Sequence, residues 1–175
     1  MTNAAPPAYE GLAITRESPL GPDLALLMRR HAEAMHADTP PESIHMMDAA
    51  ALDVPGIAFF VMREGGVPLA MGAFKRLSDP GHAEIKSMHV LHEARGRGLA
   101  RVLLDYLLAE ARAAGIVRLS LETGSQPSFA AARGLYARAG FGECPPFEGY
   151  GPDPNSVFMT RATIGRCDGQ QPRGP

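Results

Sequence analysis

At 175 residues the chain is the size of one domain, and with 45% hydrophobic and 21% charged residues its composition excludes the apolar-poor, highly charged make-up of a disordered protein. A formal net charge of -2 supplies no general attraction to a polyanion, so nucleic acid is not expected as a partner. No apolar run reaches the roughly 18 residues of a membrane span, and Met1 to Glu10 lacks the basic start and apolar stretch of a secretory signal. A cytoplasmic protein with no membrane partner is expected. Cys144 and Cys167 have no metal-ligand spacing and read as free thiols, so neither zinc nor a disulfide is needed.

Proline, glycine and small polar residues crowd both ends, which predicts flexible segments over 1–8 and 163–175 and a folded domain over 9–162. A first strand fits Leu12 to Arg16, and Asp23 is placed to cap a helix in which Leu24, Leu27, Met28 and His31 recur at helical spacing before Pro40 and Pro41. A short helical segment follows over His45 to Leu52. Ile57 to Met62 reads as a buried strand, and Gly65-Gly66 predicts a hairpin that returns Val67 to Phe74 antiparallel to it. Ala83 to Val90 is the next strand, and Leu99 to Ala114 is a helix with Leu99, Val102, Leu103, Tyr106 and Leu107 on one face. Val117 to Glu122, a helix over Ser128 to Ala139 and a last strand over Ser156 to Arg161 complete the pattern. The first half hairpins and the second alternates strand and helix, so the fold class is α/β (α+β) with a mixed sheet flanked by helices, and not a doubly wound one.

The segment His89-Val90-Leu91-His92-Glu93-Ala94-Arg95-Gly96-Arg97-Gly98-Leu99-Ala100 ends a strand, turns on two glycines and opens a helix. Free N–H groups at a helix start form an anion site that glycines keep open, and Arg95 and Arg97 can add charge-assisted bonds to a phosphate. The alternative is a solvated basic turn that uses glycine only for geometry. A P-loop is excluded because Lys75 and Lys86, the two lysines of the chain, lie outside any such context, and a dinucleotide fingerprint fails because Arg101 stands where Gly or Ala is required.

Arg95-x-x-Gly98-x-Ala100, placed between a strand and a helix, resembles the acetyl-CoA pyrophosphate motif of the GCN5-related N-acetyltransferases (GNAT). Glu84, in Ala83-Glu84-Ile85 eleven residues before Arg95, resembles in spacing the general-base glutamate of the histone-acetylating branch. Leu135-Tyr136-Ala137-Arg138-Ala139-Gly140-Phe141 resembles the family's Leu-Tyr-x-x-x-Gly-Phe helix end. The resemblance covers about Leu12 to Arg161 and is strongest to small stand-alone bacterial members. It implies a largely antiparallel sheet of the GNAT acyl-CoA acyltransferase fold, acetyl-CoA as co-substrate with no metal, and an amine acceptor. One position departs: many members carry an asparagine seven residues before the tyrosine, and here Phe129 stands there, so that polar contact is either absent or supplied elsewhere, with Ser125 and Gln126 the candidates.

Acyl transfer to an amine needs a neutral nucleophile, a cradle for the oxyanion and a proton for the leaving thiolate. An alkyl ammonium has an ordinary pKa of about 10.4, so a base is required near neutrality, and Glu84 is the candidate. Its structural alternative is an ion pair with Lys86 on the same strand face. The resemblance assigns the oxyanion to backbone N–H groups near Met88, His89 and Val90. Tyr136, the tyrosine of the helix-end motif, is the candidate general acid, against the alternative of a tyrosine packed under the sheet. His45, His89 and His92 are lesser candidates for the base. The coenzyme is thus expected to meet Met88, His89, Val90, Arg95, Gly96, Arg97, Gly98, Leu99, Ala100, Ser125, Gln126, Phe129 and Tyr136.

By the same resemblance the acceptor lies between His31 to Leu52 and Pro145 to Asn155, where Met35, Met46, Met47, Phe147 and Tyr150 offer apolar contact, the methionines fitting core filler better than pocket lining, and Glu42, Glu148 and Asp153 are available to an amine. The expected acceptor is the primary amine of a small or amino-acid-like molecule, taken by a monomer or homodimer. A protein N-terminus, a lysine or an aminoglycoside stays open as acceptor. An acyl-CoA-binding module with little turnover is the rival from another class.

Overall fold

The computed structural model describes residues 11–163; Cys167 and the expected flexible ends, apart from Thr163, lie outside them. Thr163 itself is buried, and its hydroxyl donates to the carbonyl of Ile116, so the packed chain reaches one residue past the expected boundary.

The strands are β1 (Leu12–Arg16), β2 (Ile57–Glu64), β3 (Val67–Arg76), β4 (His82–Val90), β5 (Arg118–Gly124), β6 (Gly142–Glu143) and β7 (Ser156–Ala162). The helices are α1 (Ala25–Asp38), the single turn α2 (Ala49–Leu52), α3 (Leu99–Ala113) and α4 (Ala130–Arg138). One seven-stranded sheet runs in the order β1-β2-β3-β4-β5-β7-β6. Every neighbouring pair is antiparallel except β4 and β5. The expected mixed, largely antiparallel α/β architecture is therefore the one observed.

Local chemistry explains most element ends. Gly65 and Gly66 both hold positive φ, 55° and 85°, so the hairpin from β2 to β3 closes in two residues as its sequence requires. The apolar run of β2 is buried from Ile57 through Met62, and α3 seals one face of the sheet with Leu103, Leu104 and Leu107, all fully buried. Two expectations are corrected. Asp23 does not cap α1; its carboxylate accepts from Arg63 at 2.6 Å, and the helix is entered through a 3-10 turn over Pro22–Leu24. The helical segment expected from His45 begins only at Ala49, because Asp48 accepts from the N–H of Ala51 and caps the helix there. The two-residue strand β6 was not expected.

The sheet opens at its centre. β4 and β5 pair only at His82↔Arg118, Ala83↔Leu119 and Glu84↔Ser120. Just past that point β4 bulges against β3, where the register moves from Ala73↔Lys86 to Met71↔His89 and sets Gly72 against both Ser87 and Met88. Ser87 takes φ 55°, a strained value for a residue with a Cβ. The two parallel strands part beyond the bulge, and the later half of each borders a gap.

Candidate active site

That gap is a cleft of about 120 Å³. Ile85, Lys86, Ser87 and Met88 line it from β4, and Glu122, Thr123 and Gly124 from β5. Phe129, Ala132 and Tyr136 reach it from the segment after β5, while His31, Met35 and Thr39 of α1 and its end, with Ser43 to Met47, form the remaining wall.

At the end of β4 a 3-10 turn over His92–Ala94 leads into α3, whose N-terminal residue is preceded by Gly98 at φ 75°. Gly96 also holds positive φ, 77°. Among the described residues the N–H groups of Gly96, Arg97, Gly98, Leu99 and Ala100 find no acceptor, whereas that of Arg101 already bonds to the carbonyl of Gly98. Five free donors at the start of a fifteen-residue helix form a cradle for an anion, with the positive end of the macrodipole behind it. Leu99 contributes its N–H alone, since its side chain is in the core. Arg95 Nε donates to the carbonyl of Val90 at 3.2 Å. Arg97 departs from its expected place: its guanidinium is paired with Glu64 at 2.5 Å, so Glu64 already balances its charge.

The candidate base and acid fare differently. Glu84 is 4% exposed and is not among the residues that line the cleft; it accepts from Lys86 Nζ at 3.1 Å, the ion pair its structural alternative describes, and from the Tyr150 hydroxyl at 2.5 Å. Tyr136 does line the cleft. Burial, reinforced by the negative charge of Glu122, pushes its phenol well above the ordinary tyrosine range, so it carries its proton near neutral pH. Met88 and Phe129 also line the cleft, and Phe129 packs against Gly124 so closely that a Cβ there would sit 2.4 Å from its ring.

Of the two candidates to replace the lost asparagine, Ser125 is spent on the late loop, donating its hydroxyl to the carbonyl of Pro154 at 2.7 Å. Gln126 is the better placed: its amide nitrogen and oxygen are both buried without a partner, and a Cβ on Gly124 would lie 2.4 Å from that oxygen. His89 is buried behind the cleft, edge-on to His31 at 5.5 Å, and burial first, then the neighbouring imidazole, holds it down at about 4. His92 is exposed on the turn after β4, and His45 lines the cleft with its ring 5.0 Å from that of Tyr150.

On the acceptor side Met35, Met46 and Met47 line the cleft rather than only filling the core. Phe147 and Tyr150 pack instead with Phe158 in a ring cluster, at 5.9 and 5.3 Å. Two acids expected for an amine are committed elsewhere: Glu148 accepts from the N–H and hydroxyl of Ser78, and Asp153 from the N–H of Asn155. The residue the sequence reading missed is Glu122. It faces the cleft from β5, accepts from the Ser156 hydroxyl at 2.7 Å, and burial raises its carboxyl above the ordinary range. The signal for it was a carboxylate directly after the core positions Leu119 and Leu121 of the same strand.

A split parallel pair, a bulged strand at its edge and an anion cradle on the following helix together define an acyltransferase scaffold. The sequence model of the acetyltransferase (GNAT) family matches residues 24–141, and the chain belongs to that family. It is 44% identical over 141 residues, 81% of this chain and 93% of the relative, to the uncharacterized N-acetyltransferase YsnE of Bacillus subtilis (strain 168). Among solved structures, a Klebsiella pneumoniae chain assigned to the acyl-CoA N-acyltransferases superposes with a TM-score of 0.69 at 28% identity, over 87% of this chain and 98% of that one. The Salmonella typhimurium protein yncA, determined with its cofactor acetyl-CoA, shares the fold with a TM-score of 0.65 at 20% identity, over 90% and 96% of the two chains.

Proposed function

We infer that this acetyltransferase moves the acetyl group of acetyl-CoA onto the primary amine of a small molecule. The observation that carries the reading is the cradle of free N–H groups from Gly96 to Ala100, opening beside the cleft between β4 and β5. The donor set suits a pyrophosphate, and Arg95 adds a cation beside it. Gln126, its amide buried and unpartnered, suits a polar contact to the amide-bearing arm of the coenzyme. When bound, acetyl-CoA supplies the acetyl group activated as a thioester. That yncA, which shares the fold, was solved with acetyl-CoA supports acetyl-CoA as the donor.

The proton path runs through Glu122 and Tyr136. Glu122 takes one proton from the incoming ammonium, for which a carboxylate of raised pKa is better matched than an ion-paired one. The amine nitrogen then forms its bond to the acetyl carbon and the carbon–sulfur bond breaks. Tyr136 gives its proton to the sulfur and recovers one from the nitrogen, so one proton leaves overall, by way of Glu122. Backbone N–H groups of β4 near Met88, on the strand edge that β5 leaves unpaired, are suited to the oxyanion. Glu84, expected as the base, here serves through the wall it builds with Lys86 and Tyr150.

The test is calorimetry with acetyl-CoA on the wild type and Gly98→Asp. That substitution puts a carboxylate and a Cβ at a left-handed position in the cradle, so affinity is expected to fall more than tenfold, about 1.4 kcal/mol. Equal affinities in a folded variant would move the coenzyme elsewhere.

A further inference from the structure

The charges that line the cleft do not balance, and their imbalance says what the acceptor carries besides its amine. Lys86 is the one lysine or arginine among the lining residues. An ammonium has three donors, and Lys86 Nζ uses all of them: on the carbonyl of His45 at 3.1 Å, on Glu84 at 3.1 Å and on the Tyr150 hydroxyl at 2.9 Å. Its charge is matched by Glu84, a carboxylate whose side chain is 5% exposed. Arg133, on the neighbouring helix, is turned to the carbonyls of Gly124 and Gln126 at 2.6 and 3.0 Å. His31 is buried, and desolvation keeps its imidazole neutral down to about 4. Glu122 is left. Among the described residues its hydrogen-bond partner is the neutral hydroxyl of Ser156.

Among the described residues that line the cleft, an acceptor carboxylate would meet no lysine or arginine free of a partner and would lie in the field of Glu122, where the like-charge contact is costly. An ammonium would pair with Glu122 directly. On the side of α1 and its end the wall includes Met35, Ile44, Met46 and Met47 beside Thr39 and Ser43, so thioether and aliphatic side chains that accept varied tails border the site.

We propose that the acceptor is a primary amine on an apolar small molecule without a carboxylate, selected by Glu122, which among the described residues is the lining carboxylate that no lysine or arginine pairs. This rests on the acetyl-transfer reading above and narrows it, setting aside the amino-acid-like acceptors that the sequence leaves open.

The test uses matched pairs that differ only in the carboxylate: phenethylamine and phenylalanine, tyramine and tyrosine, pentylamine and norleucine. With acetyl-CoA at pH 8, where an imidazole carries little charge, release of free thiol is expected to give kcat/KM at least tenfold higher for the amine of each pair. Calorimetry of the same six compounds on protein saturated with CoA reads binding without turnover. There the amines are expected to bind at least tenfold more tightly, and Glu122→Gln to reduce that preference below threefold. Amino acids used as well as their amines, or neither set bound or turned over by a protein that still binds acetyl-CoA, would overturn this proposal alone. Failure to bind acetyl-CoA at all would instead overturn the reading it rests on.

Discussion

Glu84 and Glu122 show how little the identity of a side chain says about its work until its partners are known. Both are carboxylates on central strands, yet Glu84 is held by an ammonium and a phenol, while Glu122 has a single hydroxyl donor and faces the cleft. Their variants are expected to separate in a pH series with an apolar amine as acceptor. Glu122→Gln is expected to slow kcat by about 10²-fold at pH 7, with part of the rate returning toward pH 10 as free amine becomes abundant. Tyr136→Phe is expected to slow turnover at both ends of the range, since the leaving sulfur needs its proton whatever the state of the amine. Glu84→Gln is expected to act mainly on KM, by loosening the wall that Lys86 and Tyr150 complete. A Glu84→Gln profile that matched the one expected of Glu122→Gln would return the base to Glu84. The sequence showed the spacing of Glu84 from Arg95 but not the tyrosine that reaches it from 66 positions away, and pairing at that separation leaves no local trace.

At the scale of elements, the bulge in β4 is where fold becomes site. Gly72 on β3 faces it, and a Cβ built there would lie 2.9 Å from Met88 Sδ and 3.0 Å from Leu107 Cδ1. The missing side chain lets the bulged residues and α3 close over one point. Gly72→Ala is expected to cost about 1–3 kcal/mol by overpacking a core position, read as a lower urea midpoint, and to move Met88 at the cleft. An unchanged midpoint would mean that the neighbours yield freely. The hairpins, the helix α3 and the glycine cradle were legible because each rests on a local rule, either period or turn chemistry. The bulge was not, since Ser87 is an ordinary residue whose φ of 55° is set by strand neighbours. The start of α1 was missed for a similar reason: Asp23 is a good capping residue by type, but Arg63 on β2 claims its carboxylate.

Across the whole molecule, the two buried imidazoles tie stability to pH. His31 and His89 join α1 to β4 edge-on at 5.5 Å, each with one ring nitrogen buried and unpartnered. Desolvation lowers both from an ordinary 6.5 to about 4, with the charge of Lys86 adding to His31 and that of His31 adding to His89. A folded pKa below the unfolded one means that the unfolded chain binds more protons between the two values, so stability is fully present above about pH 6.5 and is lost as pH falls toward 4. At 1.36 kcal/mol per pKa unit each imidazole accounts for roughly 3 kcal/mol, and the two do not simply add because part of the His89 shift comes from His31. Glu17, Asp23, Glu64 and Asp153 are also held below their ordinary values by hydrogen bonds, and their loss of stability falls in the more acidic range as they protonate. Thermal melts from pH 7.5 to 4.5 are therefore expected to show Tm falling before the carboxylates titrate. A His31→Phe, His89→Phe double variant, which keeps two rings at that contact but cannot take up a proton, is expected to flatten the fall between pH 6.5 and 4.5. A double variant whose Tm dropped as steeply as the wild type over that interval would remove the pair as its cause.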